Sequence, residues 1–162
     1  MPMSSKATPA TATAHRAKVN HRLHTYTHDR RERGFGNEAV EALGLDPRRT
    51  FKTLIAVGEA GSPPVCAVVS VAAQLDLKAL AAVAGAKQMA MADAALAERV
   101  TGYVVGGISP LGQKRRLAVF IDLSACEYPT IFVSGGRRGL EIELSPTDLA
   151  QLVGAAFCPI AR

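Results

Sequence analysis

Several things are scarce in this chain, and each scarcity narrows its chemistry. There are only three cysteines, Cys66, Cys126 and Cys158, an odd number set far apart. No Cys-x-x-Cys pair occurs and no histidine flanks a cysteine at zinc-ligand spacing, so the expectation is reduced, mostly buried thiols and neither a disulfide framework nor a zinc site. No apolar run approaches the length of a membrane span, which points to a soluble chain with no membrane partner and a cytoplasmic location. Neither a Walker loop nor a dinucleotide fingerprint is present, and no Gly-x-Ser-x-Gly elbow or cysteine-protease context marks a nucleophile. There is no internal repeat. Up to Lys18 the chain has no acidic residue, but it also lacks an apolar stretch of the kind a targeting signal carries.

What is present is ordinary in amount. With 162 residues, 48% of them hydrophobic and 20% charged, the chain is the size of one domain able to bury a core without staples. A formal net charge of +5 leans toward a polyanionic partner. Residues 1–14 are rich in Pro, Thr, Ala and Ser without periodicity and read as a disordered leader, which places the domain at residues 15–162.

Alternation and cap residues outline the domain. Residues 22–27 read as a strand with His24 and Tyr26 on one face, followed by a polar loop. Asn37 reads as the cap of a short helix closed by Gly44. Residues 51–57 are β-rich and apolar on both faces, with Lys52 as their single charge, and Gly61-Ser62-Pro63-Pro64 turns them into a hairpin with residues 65–71. Asp76 and Asp93 read as helix caps on either side of a short strand at 87–91. Strands are expected at 117–121, 130–133 and 140–144, and Ser145-Pro146 opens a last helix. About seven strands with four or five short helices, and no regular strand-helix alternation, imply an α+β single domain with a mixed, strongly curved sheet.

The most distinctive stretch is residues 101–114, Thr-Gly-Tyr-Val-Val-Gly-Gly-Ile-Ser-Pro-Leu-Gly-Gln-Lys. An apolar strand at 103–105 is expected to deliver a tight glycine loop, whose backbone N–H groups can face an anion or a carbonyl oxygen, to a basic rim beginning at Lys114. An ordinary connection accounts for the same residues. Lys52, alone in an apolar strand, is either a snorkelling strand-end residue or a site residue. The histidines at 15, 21, 24 and 28 do not match a metal cage. Basic patches at 30–33, 48–49, 114–116 and 137–138 suit a polyanion, although solvated loops look the same.

In combination and in order, His24-Thr-Tyr-Thr-His-Asp29, Phe51-Lys-Thr-Leu54, Gln74-Leu-Asp-Leu77, residues 101–114, Val133-Ser-Gly-Gly136 and Arg138-Gly-Leu-Glu-Ile-Glu-Leu144 resemble the YbaK family of aminoacyl-tRNA deacylases, in its Cys-tRNA(Pro) branch. The family is related to the editing domain of bacterial prolyl-tRNA synthetases. The resemblance implies a compact α+β domain with a barrel-like mixed sheet flanked by short helices, no cofactor and no metal. It implies a trans-editing hydrolase that removes cysteine from tRNA(Pro), the substrate thiol attacking its own ester, with tRNA and prolyl-tRNA synthetase as partners. The resemblance assigns Lys52, Tyr26 and Glu141 to the catalytic site, Glu141 standing where close relatives carry aspartate. It places Phe35, Gly106, Gly107, Ile108, Ser109, Pro110, Ser134 and Gly135 around the aminoacyl group. Lys114, Arg115 and Arg137 are the expected tRNA contacts. The alternatives are a deacylase for another small amino acid such as alanine on tRNA(Pro), and a non-catalytic tRNA- or synthetase-binding module.

Overall fold

The computed structural model describes residues 6–28 and 35–162, without the side chains of residues 35–37. Five helices and eight strands follow in the order α1 (Pro9–Arg16), β1 (His21–Thr25), α2 (Phe35–Leu43), β2 (Phe51–Val57), β3 (Val65–Ser70), α3 (Leu77–Ala84), β4 (Ala90–Met91), α4 (Ala94–Thr101), β5 (Ala118–Asp122), β6 (Ile131–Ser134), β7 (Leu140–Leu144), α5 (Pro146–Val153) and β8 (Ala156–Cys158). A 3-10 helix, Leu123–Glu127, follows β5.

The strands form two sheets. The larger runs β4-β2-β3-β5-β8 and is mixed, because β2 pairs antiparallel with β3 and β4 whereas β3, β5 and β8 run parallel. The smaller, β1-β7-β6, is antiparallel throughout. They meet where β2 and β6 begin, at a parallel bridge between Thr50 and Phe132 closed by the Phe132 N–H on the Arg49 carbonyl. The expected α+β domain is present, and the described strands form two sheets that do not close into a barrel.

β3 shows why the larger sheet sits at the centre. All six of its residues are buried, and successive side chains serve opposite cores. Cys66 and Val68 join the cluster with Ile121, Val133, Ile142, Leu144 and Leu149. Val65, Ala67 and Val69 join Leu80 and Ile160 on the other side. Each fully buried Leu, Ile or Val contributes roughly 1.5–3 kcal/mol relative to an exposed side chain.

The cap residues behave as their chemistry requires. Asp76, Asp93 and Ser145 each accept an N–H from the first turn of α3, α4 and α5, and Gly85, Gly102 and Gly154 end those helices in the left-handed region. Asp122 caps the 3-10 helix and also receives the Ile160 and Ala161 N–H groups on its other oxygen, tying the C-terminal segment to β5.

Three local expectations give way, and one strand was not expected. Asn37 lies inside α2, not at its cap. The 103–105 stretch is irregular, and β8 arises from residues with no alternating pattern. The reading of residues 1–14 as outside the fold fails for residues 9–14. Thr8 and Thr11 form a reciprocal capping pair that starts α1, and Ala10 and Ala14 are fully buried. Alanine has too little apolar surface to announce a buried helix face, yet its size permits close approach. A Cβ on Gly112 would lie 2.6 Å from the Pro9 carbonyl carbon, so α1 rests directly on the glycine loop.

Candidate active site

The 101–114 stretch is held as a shaped surface. Gly102 ends α4 at φ +80°, and the buried Tyr103 hydroxyl donates to the Leu111 carbonyl at 2.6 Å, fastening the start of the loop to its end. The Gly107 N–H then closes a turn on the Val104 carbonyl at 2.8 Å, with Gly106 at φ +93°, a conformation that strains any residue with a Cβ. The Val105 peptide groups are gripped from two sides. Val105 N–H donates to Glu98 Oε2 at 2.8 Å, and its carbonyl accepts from Arg138 Nε and Nη2 at 3.1 and 2.6 Å.

This loop packs backbone to backbone against the turn between β6 and β7. A Cβ on Gly107 would stand 2.7 Å from Arg137 Cα, which leaves no room for a side chain. Ser134 Oγ accepts the Gly136 N–H, and Gly135 N–H donates to the Leu140 carbonyl. From the N-terminal side, Thr8 Oγ1 donates to the Gly135 carbonyl.

Between this pair of loops and β2 lies a cavity of about 470 Å³. Residues 50–55 form its floor, Met91, Ala92, Ala94 and Ala97 one side, and Val105, Gly106, Ile108, Ser134 and Glu141 another. Lys52 Nζ reaches the Ala73 carbonyl at 3.1 Å, and burial holds its ammonium below the ordinary lysine range. Among the described residues it has no ion-pair partner. Glu141 is only 7% exposed, and desolvation pushes its carboxyl up to about 8. The cavity wall therefore carries a cation and, at neutral pH, a largely protonated carboxylic acid.

Five of the expected site residues share this cavity: Lys52, Gly106, Ile108, Ser134 and Glu141. The others stand at different depths. Tyr26 is half-buried just past β1, its N–H on the Gly139 carbonyl. Its hydroxyl titrates above the ordinary value, chiefly through burial and further through the charge of Glu141. Gly107 and Gly135 form the loop contact behind the wall. Ser109 is fully buried with Oγ accepting the Leu111 N–H, a support of the loop that does not line the cavity. Pro110 lines a second, smaller cavity of about 180 Å³ together with Arg115. The Phe35 side chain lies outside the described residues, as does the basic patch at 30–33.

Of the expected tRNA contacts, Lys114 and Arg115 are exposed where the loop leaves toward β5, while Arg137 donates from Nη1 to the Arg138 carbonyl at 2.7 Å. Sequence reasoning overlooked Glu98 and Thr53, and it took Arg138 for surface charge when its guanidinium in fact grips the loop. Helical placement near the end of α4 was the available signal for Glu98, and adjacency to Lys52 the one for Thr53.

Chemically, the cavity offers donors from Lys52 and Gly106, whose N–H makes no hydrogen bond among the described residues. Among the described residues it offers no activated nucleophile. No histidine lines it, and the Cys66 thiol, fully buried outside the cavity, is pushed up to about 12 by desolvation. Among the described residues no group of three His, Cys, Asp or Glu side chains is placed to hold a metal.

Two glycine loops on a mixed-sheet domain thus enclose a small cavity whose one cation among the described residues is Lys52, and residues 36–152 match the aminoacyl-tRNA editing domain family, to which the chain belongs. It is 40% identical over 121 residues to EbsC of Enterococcus faecalis, named as a candidate Cys-tRNA(Pro)/Cys-tRNA(Cys) deacylase, covering 75% of this chain and 73% of that one. It is 30% identical over 114 residues to YwhH of Bacillus subtilis, covering 70% of this chain and 71% of that one. A solved structure described as a candidate trans-editing enzyme for prolyl tRNA synthetase superposes with a TM-score of 0.85 at 23% identity over 99% of both chains, a likeness of fold.

Proposed function

We propose that this editing-domain deacylase clears cysteine from Cys-tRNA(Pro) in trans, using the substrate's own thiol as nucleophile. The observation that carries the reading is a cavity that, among the described residues, is furnished with hydrogen-bond donors and one cation but with no nucleophile-base pair. The thiol sulfur of the cysteinyl group attacks its ester carbonyl and closes a thiolactone. The bond from that carbon to the ribose oxygen breaks, and the ribose oxygen keeps the proton that the thiol gives up. What the protein supplies is position and charge. Holding reacting atoms in near-attack geometry removes roughly 7–11 kcal/mol of a barrier. A backbone donor such as Gly106 N–H on the developing oxyanion is worth about 2.7–4 kcal/mol.

In this reading Lys52 binds the ribose or phosphate oxygens of the acceptor end, where a desolvated ammonium with no carboxylate partner among the described residues is best satisfied by an anion. Lys114 and Arg115 meet the tRNA backbone. Association with prolyl-tRNA synthetase would bring the tRNA to the site. The test is release of amino acid from Cys-tRNA(Pro) and Ala-tRNA(Pro) by the native chain and by Lys52→Ala. Fast loss of cysteine, slow loss of alanine and a drop of at least tenfold in Lys52→Ala are expected. Equal rates for native chain and variant refute the role of Lys52, and preferential loss of alanine, which has no thiol, replaces the mechanism with attack by water.

A further inference from the structure

One peptide unit in the turn between β6 and β7 is bonded on both of its edges. Its N–H, that of Gly136, donates to Ser134 Oγ at 3.1 Å, and its carbonyl, that of Gly135, accepts the proton of the Thr8 hydroxyl. Thr8 stands just before α1. Its Oγ1 accepts the Thr11 N–H at 3.1 Å and has a single proton to give. Thr11 Oγ1, the other acceptor within reach at 3.2 Å, already receives the Thr8 N–H, so that proton serves Gly135. Packing holds the same unit from its remaining sides. A Cβ on Gly136 would lie 2.9 Å from Tyr103 Cε1 and 3.0 Å from Thr8 Cβ, and one on Gly112 would lie 2.6 Å from the Pro9 carbonyl carbon. The first turn of α1 therefore touches both glycine loops.

Ser134 lines the cavity. Its oxygen receives the Gly136 N–H, whereas its own proton goes to no acceptor among the described residues. An aminoacyl terminus presents acceptors at its carbonyl, ester and ribose oxygens, and the Ser134 O–H is a donor to match them. The bonds leading to it all point one way. Thr8 O–H polarises the Gly135 carbonyl, the shared peptide passes that polarisation to the Gly136 N–H, and the Gly136 N–H strengthens Ser134 as a donor. We propose that Thr8 is a positioning residue for deacylation: by fixing the Gly135–Gly136 peptide it aims the Ser134 hydroxyl at an oxygen of the bound aminoacyl terminus. The proposal rests on the deacylase reading. It gives the helix that Thr8 caps a part in the reaction, although no residue of α1 lines the cavity.

The test is a double-mutant cycle on the release of cysteine from Cys-tRNA(Pro) by the full chain. Thr8→Val keeps the shape of the side chain and removes its hydroxyl, and the loss of one hydrogen bond corresponds to a fall of roughly 2- to 10-fold in kcat/KM. Thr8→Ser, which keeps the O–H, should restore most of it. Because Thr8→Val also removes the cap of α1, rates are taken at a temperature where circular dichroism shows every variant folded. Thr8→Asp keeps the cap but has no proton to donate, and it should lose activity as Thr8→Val does. In the Ser134→Ala background Thr8→Val should cost nothing further, since the group it aims is gone, whereas a purely structural role lowers the rate by the same factor with or without Ser134. An unchanged kcat/KM in Thr8→Val, or equal losses in the two backgrounds, overturns the proposal. A turnover-free arm titrates the 3′-amide-linked adenosine derivative of cysteine. Thr8→Val should weaken its binding in the native background and leave it unchanged in Ser134→Ala, and equal weakening in both overturns the proposal. Coupled binding with no cleavage of Cys-tRNA(Pro) by the native chain sinks the deacylase reading alone, and absence of both binding and cleavage sinks both.

Discussion

Glu141→Gln should make the protein more stable at alkaline pH, by an amount that the burial of this one side chain sets. In the unfolded chain the carboxyl titrates near its ordinary 4.5, whereas in the folded cavity it titrates at about 8. The folded state therefore holds a proton that the unfolded state has released throughout that interval. Where the unfolded state binds fewer protons, stability falls as pH rises. The contribution of Glu141 is thus neutral below about pH 4.5, declines up to about pH 8 and is flat beyond. At 1.36 kcal/mol per pH unit the full loss is about 5 kcal/mol, an upper figure because water entering the cavity screens the ionised form. Glutamine keeps the shape and cannot ionise. The assay is thermal or urea unfolding of both proteins from pH 4 to pH 9, compared as a difference so that titrations common to both cancel. The two should coincide near pH 4, and the variant should pull ahead by several kcal/mol by pH 8–9, roughly 10 °C in Tm for a chain of this size. Parallel profiles would refute the reasoning, since they would show that Glu141 ionises as readily in the fold as in water.

Gly107→Ala places a Cβ 2.7 Å from Arg137 Cα and should separate the two glycine loops, costing about 1–3 kcal/mol in urea unfolding and most of the deacylation rate. Arg138→Ala frees the Val105 carbonyl, so kcat should fall while the unfolding midpoint moves by no more than about 1–3 kcal/mol, and Arg138→Lys should recover only part because it cannot grip one oxygen with two N–H groups. Replacing Lys114 and Arg115 together by Ala should weaken tRNA binding with no change of amino-acid preference and reduce the salt slope by about two, measured by binding titrations at several salt concentrations. Ala14→Leu adds three carbons where none fit, and Tm should drop by several degrees if α1 is part of the domain.

Much of the local structure was legible because local chemistry decides it. Asp76, Asp93, Asp122 and Ser145 cap their helices wherever they fall, since a short oxygen-bearing side chain before an apolar stripe has an N–H within reach. The β2 run from Phe51 to Val57 reads as interior because both of its faces are apolar, and it does lie between β4 and β3. Residues 103–105 misled because Tyr103-Val104-Val105 has strand propensity, but the buried Tyr103 is fixed by a hydroxyl bond to Leu111 and Val105 by its grips from Glu98 and Arg138. Such long-range bonds leave no periodic trace.

The sequence by itself determined the family, the single α+β domain, the helix caps and the pairing of Lys52 with two glycine loops, because these are written in residue type and short spacing. Only the tertiary structure decided which of those residues face one another. Ser109 and Pro110 are a few positions from Gly106, yet they turn away into a support and a second cavity, while Glu141 and Ser134 come from the far side of the chain to close the first. Whether a carboxyl is charged depends on what surrounds it, and the desolvation that holds Glu141 neutral, like the solitude of Thr53 Oγ1, exists only once β2, β7 and the glycine loop have packed together.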